Sequence, residues 1–456
     1  MQNDQKSSFS CFKAYDIRGR VPEELNEDLA FKIGQAFVTF LKASRVVVGY
    51  DIRLSSKGLV SALSQGLITS GAEVLDIGLC GTEEVYYATG ALDADGGIMV
   101  TASHNPAEYN GMKFVRREAR PISSDNGLVE IEKIVLDGSF ITGTASGSIH
   151  NQADIRDRYI EHILSYIEPD SLQPVRAVVN AGNGCAGPVI DLLEKRLPIT
   201  LIKLQHEPDG NFPYGVPNPL LPGNRKNTAG AVIQEKADIG IAWDGDFDRC
   251  FLFDEKGAFV EGYYLVGLLA QAMLRGRSEP QKIIHDPRLV WNTREIVISE
   301  GHVPVMARTG HAFIKDKMRA VDALYGGEMS GHHYFRDFNY CDSGMIPWLL
   351  VWQFMSRTKM TLSEMFAERM KRFPVSGEIN RVVKDPDAAL ARIENLYRDT
   401  LCEKDYTDGL SISCDTYRFN VRKSNTEPVL RLNVESRGDH ALMNAKTREL
   451  LQLIEG

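Results

Sequence analysis

The sequence is short of paired cysteines, of basic charge and of long apolar runs, and each shortage closes off a class of protein. Its seven cysteines, Cys11, Cys80, Cys185, Cys250, Cys341, Cys402 and Cys414, are odd in number and form no CxxC pair. Disulfide frameworks and zinc sites need such spacings, so reduced thiols in a cytoplasmic protein are expected. Lysine and arginine number 52 against 61 acidic residues, a formal net charge of −9. Binding along a phosphate backbone needs a basic face, so nucleic acid is not an expected partner. A small anion remains open, because a locally basic pocket can sit inside an acidic protein. The start, MQNDQKSSFSCFKAYD, has no apolar core of signal-peptide length. The longest apolar uncharged stretch, SGMIPWLLVWQFMS (343–356), is too short to cross a bilayer and predicts a buried helix. No membrane partner is expected.

What is present is a repeated rhythm. A chain of 456 residues exceeds one core, since cores stop growing at about 250–300 residues, and three or four domains are expected. Strand-like SRVVVGYD, helical SSKGLVSALSQGLITSG, strand-like EVLDIG and the buried-strand run GGIMV follow one another from 45 to 104. That is the alternation of a mostly parallel sheet. The polar stretch 121–158 predicts a long connection and a first boundary. The rhythm restarts at VRAVVNAGNGCAGPVIDLLEKRL (175–197) and again at EGYYLVGLLAQAMLR. Residues 409–438 alternate like an antiparallel sheet, and a helix over 440–454 closes the chain. The fold expected is α/β: three α/β units with a smaller C-terminal α+β unit and no tandem repeat. Its polar, glycine-rich sequences fall where strands end, which is where open α/β sheets bind ligands.

Two of these strand ends carry chemistry. DGDFDR (244–249) follows the strand-like ADIGIAW, and alternation lets Asp244, Asp246 and Asp248 converge on one point. Converging carboxylates repel unless a hard cation neutralises them, which selects Mg²⁺, Ca²⁺ or Mn²⁺. Arg249 follows with a planar fork suited to a phosphoryl oxygen. A calcium EF-hand fails here, because Arg249 stands where that loop requires glycine and the flanks are strands. A phosphatase that uses Asp244 as nucleophile stays open on this motif alone. TASHNP (101–106) leaves the GGIMV strand, with Ser103 beside His104 and Lys113 a short way on. A neutral serine is a weak ligand and a weak nucleophile. A phosphoserine carries nearly two negative charges and suits a cation already held by aspartates.

TASHNP, DGDFDR, GEMSGH (327–332) and RKSNTEP (422–428), in that order, resemble the four signature loops of the α-D-phosphohexomutase superfamily. The resemblance covers essentially the whole chain. FKAYDIRG, EPDGNFPYGVPNPLLP and GGEMSGHHYFRDF bring it nearest to the bacterial phosphomannomutases. It implies three similar α/β domains with mixed, mostly parallel sheets and a C-terminal α+β domain, arranged around a central cleft. The boundaries expected are 1–150 with the reactive serine loop, 151–256 with the metal loop, 257–370 with the sugar loop and 371–456 with the phosphate loop.

The resemblance further implies that Ser103 is phosphorylated and is both donor and acceptor of the phosphoryl group. It implies that Asp244, Asp246 and Asp248 hold Mg²⁺ together with that phosphoserine, with Arg249 as a transition-state contact. Glu328 and Ser330 would bind sugar hydroxyls, with His332 against the sugar or in proton transfer. Arg422, Ser424, Asn425 and Thr426 would clamp the nontransferred phosphate. Arg18 would approach the active-site phosphate, His104 would flank the serine, and Lys113 would be a general base or acid, for which a depressed pKa is needed. Arg288 and His311 would line the cleft. The activity implied is interconversion of mannose 6-phosphate and mannose 1-phosphate through a hexose 1,6-bisphosphate that also serves as activator, feeding GDP-mannose and polysaccharide synthesis. Phosphoglucomutase or dual-specificity activity is the alternative. The only partner implied is a small hexose phosphate, and monomer and dimer both fit.

Overall fold

The computed structural model describes residues 9–141, 147–152, 154–423 and 429–456. The chain divides into two compact units, Met1–Phe259 with His332–Thr358, and Val260–Gly331 with Lys359–Gly456.

In the first unit, strands Arg45–Tyr50, Glu73–Leu79 and Gly96–Val100 pair in parallel, with helices Ser56–Thr69 and Thr82–Ala91 as crossovers. From Val100 the chain returns antiparallel as Tyr109–Arg116, because the short loop 101–108 cannot carry a crossover. Strand Ile17–Arg20 extends the sheet on that side. TASHNP is therefore a tight connection at a carboxyl edge, which fixes where Ser103 emerges. The stretch 121–158 departs from the expected long connection. It contains helix Val129–Asp137, whose Ile131 and Val135 enter the same core as Ile33 and Phe37 of helix Glu27–Leu41. Its apolar spacing is helical, but serine, glycine and aspartate on both sides mask it.

A second sheet places Val175–Asn180 between parallel Ile199–Leu204 and Ile239–Trp243, and Ile239–Trp243 carries antiparallel Cys250–Phe253. DGDFDR is the turn between those last two strands. Helix Met345–Thr358 realises the expected buried apolar stretch, with Trp348, Leu349, Val351 and Trp352 at most 2% exposed. Among the described residues no helix is long and apolar enough to cross a membrane. Glu83, fully buried in helix Thr82–Ala91, caps the Met345–Thr358 helix: it accepts from Ser343 Oγ at 2.9 Å, from Gly344 and Met345 N–H, and from the Tyr159 hydroxyl. Glu83→Ala leaves Gly344 N–H and the Ser343 and Tyr159 hydroxyls without this acceptor, while Met345 N–H keeps Ser343 Oγ at 3.1 Å, and is expected to cost about 3 kcal/mol, since one cap is worth ~1 and each orphaned donor ~1–3. Urea unfolding at pH 7 reads that loss.

In the second unit, Lys282–His285 lies between parallel Val303–Met306 and Tyr325–Gly327. The C-terminal sheet is antiparallel in the order Ile379–Val382, Val429–Ser436, Tyr417–Lys423, Leu410–Ser413, Glu403–Asp405. Helices Pro386–Leu396 and His440–Glu455 share its core through Ile393, Phe419, Leu432 and Leu450. The expectation that all cysteines are reduced is corrected here. Cys11, Cys80, Cys185, Cys250 and Cys341 are free and buried, but Cys402 and Cys414 form a disulfide, with Cα atoms 4.4 Å apart. Register causes it: Glu403 pairs with Ser413, so the residues just outside that pair face each other across the hairpin.

His285 ends its strand fully buried, and burial brings its imidazole down to about 4 from 6.5 although the neighbouring Asp286 favours protonation. The unfolded chain takes up the proton first. The stability linked to neutral His285 is thus complete above pH 6.5 and is lost as pH falls towards 4, at about 1.4 kcal/mol per unit. Between pH 7 and 4.5 the wild type is expected to lose about 2.5 kcal/mol more than His285→Asn in paired urea titrations.

Candidate active site

Ser103 leaves the buried strand Gly96–Val100 with a left-handed φ of 47° and is 5% exposed. Its N–H donates to Thr101 Oγ1 at 2.8 Å, which turns the side chain away from the sheet. Ser103 Oγ donates to Asp244 Oδ2 at 2.8 Å and lies 3.1 Å from His104 Nδ1. The serine loop and the acidic loop are therefore in direct contact. Gly245 permits the approach, since a Cβ there would stand 2.7 Å from the Ser103 carbonyl oxygen.

Asp244, Asp246 and Asp248 are at most 2% exposed, and one carboxylate oxygen from each falls within 4.8 Å of the others. Lys113, brought in by strand Tyr109–Arg116, donates to Asp246 Oδ2 at 2.7 Å and Asp248 Oδ2 at 2.5 Å. Thr82 Oγ1 donates to Asp246 Oδ2 at 2.5 Å. Arg249 Nε donates to Asp244 Oδ2 at 2.8 Å, and its Nη2 lies 2.6 Å from His104 Nδ1. Asp246 Oδ1 and Asp248 Oδ1 are buried without a hydrogen-bond partner among the described residues. Burial, with the charge of Asp246, pushes Asp248 well up, and burial pushes Asp244 up against the pull of Arg249. Burial acts the same way on Asp246, but the Lys113 ammonium and Thr82 outweigh it and hold that carboxyl low. Two buried carboxylate oxygens thus lack a hydrogen-bond donor among the described residues, and oxygen ligands of this kind suit a hard divalent cation.

Lys113 does not meet the condition set for a lysine base. Burial lowers it, but Asp246 and Asp248 outweigh burial and keep it an ammonium ion. His104 goes the other way: the Arg249 guanidinium, then burial, hold it well below the usual histidine range, so it is neutral beside Ser103. Arg18 Nη1 donates to the Thr101 carbonyl at 3.0 Å and its Nε to Asp16 at 2.9 Å, which puts a cation at the base of the serine loop. His332 also belongs to this unit, with Nε2 3.6 Å from Asp248 Oδ1 and 3.9 Å from Asp342 Oδ2.

A second cluster lies in the other unit. Glu328, 1% exposed after strand Tyr325–Gly327, accepts from Gly310 N–H at 2.9 Å and stands 3.9 Å from Arg288 Nη2. Gly310 immediately precedes helix His311–Val321, so His311 is tied to the same loop. Asp286 Oδ2 accepts from Arg288 Nη2 at 2.7 Å and from Met329 N–H at 3.0 Å, anchoring the segment that presents Ser330. Glu378 stands among three arginines: Arg422 at 3.0 Å, Arg288 at 3.4 Å and Arg431 at 3.7 Å. Arg288, Glu328 and Arg422 are thus linked by one network, and His311 follows directly on Gly310, whose N–H Glu328 accepts. Ser424, Asn425 and Thr426 lie outside the described residues. Asp286 and Glu378 were not legible as site residues, each being a single carboxylate whose partners are distant in sequence.

Models of the phosphoglucomutase/phosphomannomutase family match in chain order: alpha/beta/alpha domain I over 10–142, domain II over 157–257, domain III over 261–373 and the C-terminal domain over 378–451. The chain is 57% identical over 455 residues to a phosphomannomutase of Salmonella montevideo, covering 98% of this chain and 99% of that one. It is 57% identical over 446 residues to a Xanthomonas campestris pv. campestris protein named phosphohexose mutases, with the same coverage of 98% and 99%. A crystal structure of a phosphoglucomutase/phosphomannomutase family protein from Burkholderia thailandensis superposes with a TM-score of 0.87 at 33% identity over 98% of each chain. Four domains in order, full-length identity and a shared fold place this chain in the phosphoglucomutase/phosphomannomutase family of the α-D-phosphohexomutase superfamily.

Proposed function

We propose that the protein is a cytoplasmic phosphomannomutase that interconverts mannose 6-phosphate and mannose 1-phosphate through phosphorylated Ser103 and a hexose 1,6-bisphosphate, supplying GDP-mannose and polysaccharide synthesis. The observation that carries this reading is Ser103 Oγ hydrogen-bonded at 2.8 Å to Asp244 inside a buried three-carboxylate cluster. The orphaned oxygens of Asp246 and Asp248 fit Mg²⁺, a hard ion that takes carboxylate oxygens at about 2.1 Å. Asp244, Asp246 and Asp248 would hold it, with a phosphoryl oxygen on Ser103. When bound, the ion neutralises the cluster and polarises a phosphoryl oxygen.

In this mechanism the Oγ–P bond of phospho-Ser103 breaks as the free hydroxyl of the bound hexose phosphate forms a new O–P bond. The hydroxyl proton passes to His332, and Lys113, an ammonium ion in the cluster, gives a proton to the departing Ser103 Oγ. Arg249, Lys113 and Arg18 supply positive charge where three phosphoryl oxygens gather it, the main source of rate enhancement in phosphoryl transfer. The bisphosphate then presents its other phosphate, and the reverse step restores phospho-Ser103. Glu328 and Ser330 hold sugar hydroxyls, while Arg288, His311 and Arg422, with Ser424, Asn425 and Thr426, receive the nontransferred phosphate.

The test compares kcat/KM on mannose 1-phosphate and glucose 1-phosphate with hexose 1,6-bisphosphate present. A value clearly higher on mannose, by about tenfold, is expected; a tenfold preference for glucose would make the enzyme a phosphoglucomutase. The name of the Xanthomonas relative supports a second reading, dual specificity, which predicts comparable values. A phosphatase with Asp244 as nucleophile is disfavoured because its Oδ2 already accepts from Ser103 and Arg249. Hydroxylamine, which cleaves an aspartyl phosphate and spares a phosphoserine, separates the two by intact mass.

A further inference from the structure

Residue Arg53 ends the stretch GYDIR just past strand Arg45–Tyr50 and is 2% exposed. Its two terminal nitrogens donate to three backbone carbonyls of the serine loop and to that of Tyr109, the first residue of the returning strand. Nη2 reaches Ser103 O at 2.9 Å and Asn105 O at 2.6 Å, and Nη1 reaches Pro106 O at 2.7 Å and Tyr109 O at 2.8 Å. Asp51 holds this guanidinium in place. Its Oδ2 lies 3.4 Å from Arg53 Nε, and its Oδ1 accepts from Arg53 N–H at 3.0 Å and Ser56 Oγ at 2.6 Å. The Phe212 ring covers the outer side, 5.6 Å from the guanidinium carbon.

Phe212 belongs to EPDGNFPYGVPNPLLP, a segment for which the reaction itself supplies no role. That segment touches both halves of the phosphoryl site. Gly210 lies so close to the Arg53 loop that a Cβ there would be 2.3 Å from Ile52 O. Pro217 packs against Gly182 and lies within 4 Å of a Cβ placed on Gly245, between Asp244 and Asp246.

Resting on the assignment of Ser103 as phosphoryl carrier, we propose that Arg53, oriented by Asp51 and covered by Phe212, is a positioning residue that sets the serine loop for phosphoryl transfer. The physical case has two parts. A left-handed φ at a serine costs about 1 kcal/mol or more and persists only where surroundings fix it; four carbonyls gathered on one fork do so. Carbonyl oxygens turned towards a phosphoserine would also repel its charge, and the clamp turns them inwards onto a cation. Lysine cannot replace arginine here, because a tetrahedral ammonium offers three donors without the planar fork.

The experiment compares wild type, Ser103→Ala, Arg53→Lys and Arg53→Met. Kinetics on mannose 1-phosphate, intact mass after incubation with hexose 1,6-bisphosphate and thermal unfolding are measured for each. Arg53→Lys is expected to lose at least about 100-fold in kcat with KM within threefold, as displacement of a reacting group by about 1 Å does. Arg53→Met is expected to recover at least tenfold of its lost kcat with millimolar guanidinium and not with methylammonium, a response that loss of folding would not give. A folded Arg53→Lys with kcat within fivefold of wild type overturns the proposal, and this variant decides the matter if Arg53→Met does not fold. A wild type that carries no phosphate on Ser103 after that incubation overturns the underlying assignment instead, so the two failures are distinct.

Discussion

Ser103→Ala is expected to lower kcat/KM for mannose 1-phosphate by at least about 10³-fold, while the thermal midpoint stays within a few degrees of wild type. The activity loss follows from removing the atom proposed to carry the phosphoryl group: among the described residues no other hydroxyl shares its contact with Asp244 at 2.8 Å, and His104 is held neutral by Arg249 and turned to that guanidinium. The small effect on stability follows from what remains. Asp244 keeps Arg249 at 2.8 Å, so its buried carboxylate is not left uncompensated, and the Ser103 carbonyl keeps its bond to Arg53. Intact mass adds an independent readout: wild type incubated with hexose 1,6-bisphosphate carries one phosphoryl group and the variant carries none. A variant with mutase activity within tenfold of wild type would falsify the donor assignment.

The meeting of these side chains was legible in the sequence where they stand at strand ends. GGIMV running into TASHNP and IGIAW running into DGDFDR each mark a polar loop launched from a buried strand, and charge balance suggested that the two loops meet. They do, across 141 residues of sequence. What was not legible rests on main chain or on distant pairs. Arg53 does its work on carbonyl oxygens, which have no side-chain signature. Glu378 reaches Arg288 and Arg422 from 90 and 44 residues away. Helix Thr82–Ala91 escaped notice because Glu83, Glu84, Val85, Tyr86, Ala88 and Thr89 are all buried, which removes the one-sided apolar stripe that periodicity detects. The Cys402–Cys414 bond was hidden for a similar reason: strand register decides it, and twelve residues of separation carry no such information.

Asp246→Asn is expected to cost at least about 100-fold in kcat and to raise the half-saturating Mg²⁺ concentration at least about tenfold, a shift of about 1.4 kcal/mol. Asp246 is the carboxylate held most firmly ionised in the cluster, through Lys113 at 2.7 Å and Thr82 at 2.5 Å. Its neighbours Asp244 and Asp248 are pushed towards protonation by burial and by the charge of Asp246 itself. A divalent ion favours the ionised form of all three, so metal binding releases protons and weakens as pH falls. Chelator treatment of the wild type is expected to abolish activity, and Mg²⁺ to restore it. Thermal unfolding reads the same event without turnover: an ion that binds only the folded chain stabilises it by about 2.7 kcal/mol at 100 times its Kd. That increment should be present in wild type and in Ser103→Ala, reduced in the latter by the missing phosphoryl oxygen, and cut to about 1.4 kcal/mol or less at the same Mg²⁺ concentration in Asp246→Asn. An Asp246→Asn variant with the wild-type Mg²⁺ response in both assays would show that the ion sits elsewhere, and the role of the DGDFDR turn would reduce to its contacts with Lys113, Thr82 and Ser103.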